Sequence, residues 1–223
     1  MYFARCGAKH VFTCEMDEQL YDVSVRNIAN SGLANKITVV HSSSREYINS
    51  GGLGLNPDVI FTETLDCGVT GEGFNEIAED IIKISRSNTI LLPSKIYQFG
   101  FMVNSKEIVE LNRVNPFENC DLSALNEFST RSYYPIRYEL FNSMTLSDVQ
   151  QLALYDYREQ LPQFSKFSMK AYRSGLCHGI VSYFRALFGN SAVTNDVRDR
   201  GHWHQAFHPL PVPLEVMSGG NPP

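Results

Sequence analysis

The chain has 223 residues, of which 43% are hydrophobic and 19% charged, and its formal net charge is −5 at pH 7. This composition is that of an ordinary globular protein, the small acidic charge argues against a nucleic-acid-binding surface, and no stretch approaches the roughly 20 apolar residues of a membrane span. Five scattered cysteines without a C-x-x-C pair favour free thiols in a reducing compartment, so we expect a soluble protein of the cytoplasm or nucleus.

The first ninety residues alternate between short apolar runs and helical patterns. A helix is predicted between Asp17, its N-cap, and Gly32, where it stops; a second begins at Phe74, after which apolar residues recur at helical spacing. Strands are predicted at 11–14 (VFTC), 36–40 (KITVV), 58–62 (DVIFT) and 88–93 (NTILLP). This alternation predicts βαβ units in a parallel, doubly wound sheet.

After Pro93 the pattern changes to one of antiparallel strands. Tyr97, Phe99, Phe101 and Val103 share one face at period two, which predicts a half-buried strand. Residues 132–141 and 177–188 look similar, so an antiparallel sheet or barrel is expected. Residues 209–223 are rich in proline and glycine and are expected to fray. The predicted domains are therefore residues 1–92, of Rossmann type, and residues 93–223, barrel-like.

Two groups of polar residues follow predicted strands, at the sheet edge where doubly wound folds bind ligands. Glu15 ends the first strand, and a carboxylate there can accept two hydrogen bonds from a ribose diol; a solvated carboxylate is the alternative. The segment HSSSREY (41–47) could offer a backbone donor and a side chain to an adenine edge, although a plain polar turn would read the same way.

The segment FTETLDCGVTGEGF (61–74) holds two glutamates nine residues apart, Glu63 and Glu72. Gly68, Gly71 and Gly73 allow the chain between them to double back, which would bring the carboxylates together. Two facing carboxylates repel each other unless a cation lies between them, and a guanidinium matches them best because its planar fork binds in bidentate fashion. The alternative is an ordinary helix start, since the helix dipole favours Glu72 in a first turn whatever its function.

The segment GHWHQAFHPLP (201–211) contains the only tryptophan, Trp203. His202, His204 and His208 do not have a recognised zinc spacing, and no cysteine or carboxylate cluster supports them, so we expect no metal. Trp203 beside His202 could form a wall for a flat cation. A core tryptophan that anchors the barrel is the alternative.

Four segments, in this order, resemble one family, the protein arginine methyltransferases. CEMDE, with Glu15, resembles the ribose-binding acidic motif, and FTETLDCGVTGEGF resembles the double-glutamate loop with the family's spacing between Glu63 and Glu72. TILLPSKIY resembles the passage into the barrel, and HWHQAFHPLP resembles the threonine-histidine-tryptophan loop with Gly201 in place of threonine. The sequence of the double-glutamate loop is most similar to members 7 and 9 of the family, and closer to 9.

The resemblance implies an enzyme that transfers a methyl group from S-adenosylmethionine to a guanidino nitrogen of arginine in proteins, with monomethyl and symmetric dimethyl products. It assigns catalytic guanidinium binding to Glu63 and Glu72, ribose binding to Glu15, adenine contact to Ser44 and Arg45, and the walls of the arginine pocket to His202 and Trp203. The implied partner is a protein with an exposed arginine, without nucleic acid or membrane, and a tandem module or a dimer stays open.

The chain departs from the family at both ends. Family members begin this domain with a strand and a glycine-rich turn, whereas MYFARCGAKHVFTCE resembles the tail of the helix that follows them. The family's barrel also continues beyond PLPVPL. We therefore expect a partial Rossmann-like domain without its first strand, then a barrel-like domain incomplete at its C-terminus, in an incomplete or inactive form of the enzyme. The alternatives are a non-catalytic arginine-methyltransferase-like scaffold and a different Rossmann methyltransferase.

Overall fold

The computed structural model describes residues 1–52, 56–159, 163–164, 168–199 and 201–219. The chain divides into two compact units. The first contains Met1–Asp58 and Glu79–Thr89, and the second contains Val59–Ala78 and Ile90–Pro223. The division into residues 1–92 and 93–223 stays a prediction.

The first unit is an α/β structure. Its elements are α1 (Tyr2–Arg5), β1 (Val11–Glu15), α2 (Glu18–Asn30), β2 (Ile37–His41), α3 (Ser44–Asn49) and the C-terminal half of α4 (Phe74–Ile84). Strands β1 and β2 pair in parallel, from Val11 opposite Ile37 to Glu15 opposite His41. Ala4, Ile28 and Ile37 form the buried core of this unit, so the helices cover the sheet as the alternating pattern predicts.

Helix α2 begins and ends where the sequence predicts. The carboxylate of Asp17 accepts a hydrogen bond from the backbone N–H of Leu20 at 2.9 Å, which satisfies one of the free donors of the first turn. Gly32, just past the C-cap, has φ +69°, a conformation that glycine adopts without cost and that ends helices.

Residues 41–47 are not a plain polar turn. The Ser43 hydroxyl accepts from the Glu46 N–H while the Glu46 carboxylate accepts from the Ser43 N–H, a capping box that starts helix α3. Ser44 and Arg45 are therefore the first two residues of a helix.

The second unit contains a parallel strand pair and a large antiparallel sheet. Its strands are β3 (Val59–Phe61), β4 (Ile90–Leu92), β5 (Lys95–Asn104), β6 (Tyr134–Ile136), β7 (Met144–Thr145), β8 (Gln150–Tyr155), β9 (Gln163–Phe164), β10 (Gly175–Phe188), β11 (Ser191–Thr194) and β12 (Gln205–Val216). The described part of this unit also contains the N-terminal part of α4, helix α5 (Lys106–Glu110) and two 3-10 helices, Ser123–Phe128 and Tyr138–Leu140. Strands β3 and β4 are parallel, and the other eight strands form one sheet with the order β6-β12-β10-β5-β8-β9, to which β7 and β11 attach.

Strand β5 is central in this sheet and is covered on both faces. Phe101 and Val103 pack in one core cluster, while Met102 on the other face packs in another. The prediction of a half-buried strand was wrong for this reason: Gln98, on the face that the pattern assigned to solvent, is only 6% exposed.

Two further predictions in this unit were wrong. Within residues 132–141 only Tyr134–Ile136 is a strand, and a 3-10 helix follows at Tyr138–Leu140. The expectation that residues 209–223 fray was wrong as far as Val216, because residues 209–216 continue strand β12, which pairs with β10 up to Val216 opposite Gly175; residues 220–223 lie outside the described residues. No helix in the described part of the chain is long and apolar enough to cross a lipid bilayer.

Candidate functional site

The first unit carries the residues predicted to bind the nucleoside, at the carboxyl ends of β1 and β2. The Ser42 N–H donates to the carbonyl of Glu15 at 3.0 Å, so Glu15 and the start of α3 lie at the same edge of the strand pair. One carboxylate oxygen of Glu15 accepts from the Asp17 N–H at 2.9 Å. This bond fixes the carboxylate, and its other oxygen can accept a hydroxyl.

The side chain of Arg45 binds carboxylates of α4. Its Nε donates to Asp80 at 3.1 Å and its Nη2 to Glu79 at 3.3 Å. Asp80 is only 3% exposed and also accepts from Lys83 Nζ at 3.2 Å. A buried carboxylate needs such partners, so the Arg45 guanidinium has a structural role. The adenine contact of Ser44 and Arg45 stays a prediction.

The second unit carries Glu63 and Glu72, at the two ends of the loop from β3 to α4. Both residues are exposed at the surface. The pKa of the Glu72 carboxyl is raised, first by partial burial and then by the negative charges of Glu63 and Asp66. Glu63 is therefore near enough to act on Glu72 electrostatically, and a bound cation would relieve that repulsion.

The backbone of this loop is strained at Val69. This residue is fully buried and has φ +78°, a conformation that costs a β-branched residue of the order of 1–3 kcal/mol. Such a conformation persists only where surrounding contacts impose it. The loop between Glu63 and Glu72 is therefore held in shape by the rest of the unit.

Three side chains of the antiparallel sheet and its loops donate to carbonyls of this loop. Trp203 Nε1 donates to the carbonyl of Leu65 at 2.9 Å, Asn195 Nδ2 to that of Cys67 at 3.5 Å, and Gln98 Nε2 to that of Gly68 at 3.3 Å. These bonds fix peptide groups along the loop, so the glutamate loop has a rigid support.

Trp203 packs edge-on against the buried ring of Phe184, with 5.6 Å between ring centroids, and His202 packs edge-on against Trp203 at 5.4 Å. The tryptophan segment is fixed in turn by Asn195, whose amide donates to the carbonyl of His204 at 2.6 Å. Trp203 thus anchors the glutamate loop through its N–H. The wall of an arginine pocket stays a prediction for His202 and Trp203.

The three histidines of this segment have separate surroundings. Burial lowers the pKa of His208 to about 4, and its Nε2 shares a hydrogen bond of 2.8 Å with the Ser182 hydroxyl, so the ring is neutral at physiological pH. In the described ranges no group of three or more His, Cys, Asp or Glu side chains could hold a metal ion.

Sequence reasoning missed the residues that shape the loop. Asp66 lies within the segment TETLD, and its ability to cap nearby N–H groups was a visible signal. Gln98 and Asn195 lie 30 and 128 residues from the carbonyls they bind, and no local pattern reports such contacts.

A comparison with solved structures identifies the fold class, whereas a comparison with family models does not. No family model matches the chain. The Trypanosoma brucei PRMT1 enzyme-prozyme heterotetrameric complex with AdoHcy superimposes with a TM-score of 0.74 at 14% identity, over 98% of this chain and 71% of that one. The α/β unit and the antiparallel sheet thus have the fold of protein arginine methyltransferases, a Rossmann-type domain followed by a β-barrel domain.

The sequence comparison is more specific. An arginine N(omega)-methyltransferase of Streptomyces achromogenes subsp. streptozoticus is 30% identical over 227 aligned positions, which include 98% of this chain and 62% of that protein. Protein arginine N-methyltransferase 9 of Mus musculus is 29% identical over 76 positions, 34% of this chain and 9% of that protein. The chain is thus similar to an arginine N(omega)-methyltransferase over 98% of its length, and it spans less than two thirds of either relative.

Proposed function

We propose that the protein transfers a methyl group from S-adenosylmethionine to a guanidino nitrogen of arginine. The observation that carries this proposal is the pair Glu63 and Glu72, two exposed carboxylates at the ends of one rigid loop, close enough for one to raise the pKa of the other. A guanidinium is the cation whose shape suits two carboxylates.

Glu63 and Glu72 have the chemistry that methyl transfer to a guanidinium requires. Arginine keeps its proton at neutral pH because its pKa exceeds about 12, so its nitrogens are poor nucleophiles. Glu63 and Glu72 would bind two edges of the guanidinium and draw positive charge towards the nitrogens they contact. The remaining nitrogen is then freer to attack, and Glu72, the carboxylate with the raised pKa, is the better acceptor for the proton released. Positioning and electrostatics would supply most of the acceleration.

The first unit suits the methyl donor, which supplies an electrophilic methyl group on a sulfonium when bound. Glu15 has a fixed carboxylate with an oxygen able to accept a ribose hydroxyl, as acidic residues at this strand position do. The backbone at Ser44 and Arg45 lies at the same strand edge and would contact the adenine. The roles proposed for Glu15, Ser44 and Arg45 rest on their positions at the carboxyl ends of β1 and β2.

The acceptor that we propose is arginine in an exposed protein segment, with monomethyl and symmetric dimethyl products. A second candidate, free arginine, is favoured by one observation: the relative that matches 98% of this chain has a name that specifies arginine without specifying a protein. The two acceptors differ in what flanks the guanidinium, so one assay distinguishes them.

The decisive experiment incubates the full-length protein with S-adenosylmethionine and one of three acceptors: an arginine-rich peptide, the same peptide with lysine in place of arginine, or free arginine. Mass spectrometry should detect methylation of the arginine peptide only. Glu63→Gln and Glu72→Gln should each lower the rate at least about a hundredfold, since each removes a charge-assisted bidentate contact. Glu76→Gln, an exposed carboxylate in the first turn of α4, is the matched control. Equal rates for Glu72→Gln and Glu76→Gln would refute the assignment.

We also propose that the protein assembles with a second protein chain and works in the cytoplasm or nucleus. The structural neighbour from Trypanosoma brucei is a heterotetrameric complex, and all five cysteines of this chain are free thiols. Light scattering on the full-length protein would test the assembly, and fractionation of cells would test the location.

A further inference from the structure

Asp66 organises the middle of the loop between the two glutamates. Its Oδ1 accepts from the N–H groups of Gly68 at 3.2 Å and Gly71 at 3.0 Å, and its carbonyl accepts from the N–H of Val69 at 3.1 Å. One residue thus satisfies three backbone donors at and around the strained Val69. This is the contact set that a loop needs to keep a residue at φ +78°.

Tyr133 binds the second carboxylate oxygen of Asp66. Its hydroxyl donates to Asp66 Oδ2 at 2.7 Å, a short hydrogen bond to a charged acceptor. Burial, followed by this bond to Asp66, raises the pKa of the tyrosine, so Tyr133 stays protonated and keeps donating. Its ring packs against the ring of His208, with 5.2 Å between centroids.

Two glycines of the loop are required by this pair. A Cβ on Gly68 would overlap the ring of Tyr133, and a Cβ on Gly71 would overlap Oδ2 of Asp66 and lie 2.8 Å from the Tyr133 hydroxyl. Real Cβ atoms do not come so close, so both positions require glycine while Tyr133 and Asp66 stay in place. Gly71 directly precedes Glu72, and the contact therefore reaches the peptide next to the glutamate.

We propose that Tyr133 and Asp66 are positioning residues for Glu72, holding the loop in the shape that presents this glutamate to the arginine. The inference rests on the proposed function. Both residues act through the backbone on either side of Val69, Asp66 directly and Tyr133 through Asp66. Asp66 has a second effect, because its charge lies near enough to act on Glu72.

Several titratable groups surround the Asp66–Glu72 pair, and a pH experiment must take them into account. They are Glu63 and Cys67 from the loop, Tyr133, Tyr155 and Tyr157 from the neighbouring segments, and His208 from β12. Burial, together with the charge of Asp66, raises the pKa of Cys67 to about 12, and burial raises that of Tyr155 to about 12. His208 is neutral above its pKa of about 4.

The test compares Tyr133→Phe with Tyr134→Phe in the full-length protein. Tyr134 is the adjacent half-buried tyrosine, and its hydroxyl donates to the carbonyl of Ile108 at 2.8 Å, away from the loop. Losing a hydrogen bond to a charged group corresponds to roughly a tenfold change. We therefore expect Tyr133→Phe to lower kcat/KM for the arginine acceptor about tenfold and Tyr134→Phe to change it less than about twofold. Equal effects of Tyr133→Phe and Tyr134→Phe on kcat/KM would overturn the inference.

The second arm uses Asp66→Asn and Asp66→Ala. Asparagine keeps an acceptor for the Gly68 and Gly71 N–H groups but removes the charge and the oxygen that accepts from the Tyr133 hydroxyl. At high pH kcat/KM should therefore fall about as far as in Tyr133→Phe, while its acid limb moves to lower pH. A purely structural role would leave that limb where it is. Alanine removes the acceptor as well, and it should lower kcat/KM at every pH and expose the amides of Gly68 and Gly71 to hydrogen exchange.

A third readout separates this inference from the proposed function. The Glu72 carboxyl can be titrated by carbon NMR in the wild type and in Asp66→Asn, without any substrate. If the wild type methylates no arginine but Asp66→Asn lowers the Glu72 pKa and Asp66→Ala unprotects both amides, the function fails and the coupling within the loop stands. If the titration and the amides do not change, the inference is wrong whatever the activity.

Discussion

Tyr155 and Tyr157 offer a matched pair for testing hydrogen-bond energetics next to the glutamate loop. Both are almost fully buried, at 2% and 1% exposure, and both rings pack on Phe74, with centroid distances of 5.1 and 4.7 Å. The Tyr155 hydroxyl donates to Gln98 Oε1 at 2.9 Å. The Tyr157 hydroxyl is buried without a hydrogen-bond partner in the described part of the chain.

The same change, tyrosine to phenylalanine, should therefore have opposite signs at the two positions. Tyr155→Phe leaves the buried Gln98 oxygen without its donor and should lower the free energy of unfolding by about 1–3 kcal/mol. Tyr157→Phe removes a hydroxyl that was desolvated without compensation and should raise stability by up to about 1 kcal/mol. The hydroxyls of Thr62 and Thr64 lie near Tyr157, but they bond each other at 2.7 Å, and burial prevails in raising the pKa of Tyr157.

Urea unfolding of both variants and the wild type, followed by far-UV circular dichroism at pH 7, measures the difference. Because the two substitutions delete the same atom from similar surroundings, errors from the unfolded state cancel in the comparison. A loss of stability in Tyr157→Phe equal to that in Tyr155→Phe would refute the reasoning, since it would mean that Tyr157 has a partner of equal value.

Three further predictions concern the second unit, which contains the glutamate loop and the antiparallel sheet. Trp203→Phe removes the donor to the carbonyl of the buried Leu65 and should cost about 1–3 kcal/mol in urea unfolding; an unchanged midpoint would show that the bond contributes nothing. His208 has a folded-state pKa of about 4 against 6.5 in the unfolded chain, so the unfolded state binds the extra proton first and stability should fall by up to about 3 kcal/mol as the pH drops from 6.5 to 4. His208→Gln should lack that part of the loss, and identical pH slopes in the two proteins would contradict the assignment. Gly71→Ala forces Asp66 to move and should lower the melting temperature and arginine methylation together, whereas normal activity would mean that the loop tolerates the shift.

Local sequence patterns predicted the elements that are stabilised by residues close to one another in the sequence. The run VFTC and the N-cap that Asp17 forms with Leu20 follow from strand propensity and capping chemistry. The start of α3 was equally visible in Ser43 and Glu46, three residues apart as a capping box requires, and reading the segment as a turn overlooked that spacing. The parallel pairing of β1 with β2 followed from the βαβ alternation.

Sequence patterns did not predict contacts between residues that are far apart in the chain. The alternation in residues 97–103 predicted a half-buried strand, yet β5 has core clusters on both faces and Gln98 is buried. The spacing of Glu63 and Glu72 and the glycines between them predict a pair of carboxylates, whose role stays a prediction. The shape of the loop depends on Tyr133, 67 residues away from Asp66, which no local pattern indicates. Tertiary contacts of this kind override local propensity.

Strand β12 also has a consequence for the behaviour of the protein in concentrated solution. Beyond Phe207, where its pairing with β6 ends, no described strand lies on that side, and the strand carries Pro209, Pro211 and Pro213. An open strand edge normally recruits strands from other molecules and so begins aggregation, but a proline has no N–H to offer a newcomer. The prolines that made the segment look unstructured would thus keep this edge from growing a longer sheet with neighbouring copies.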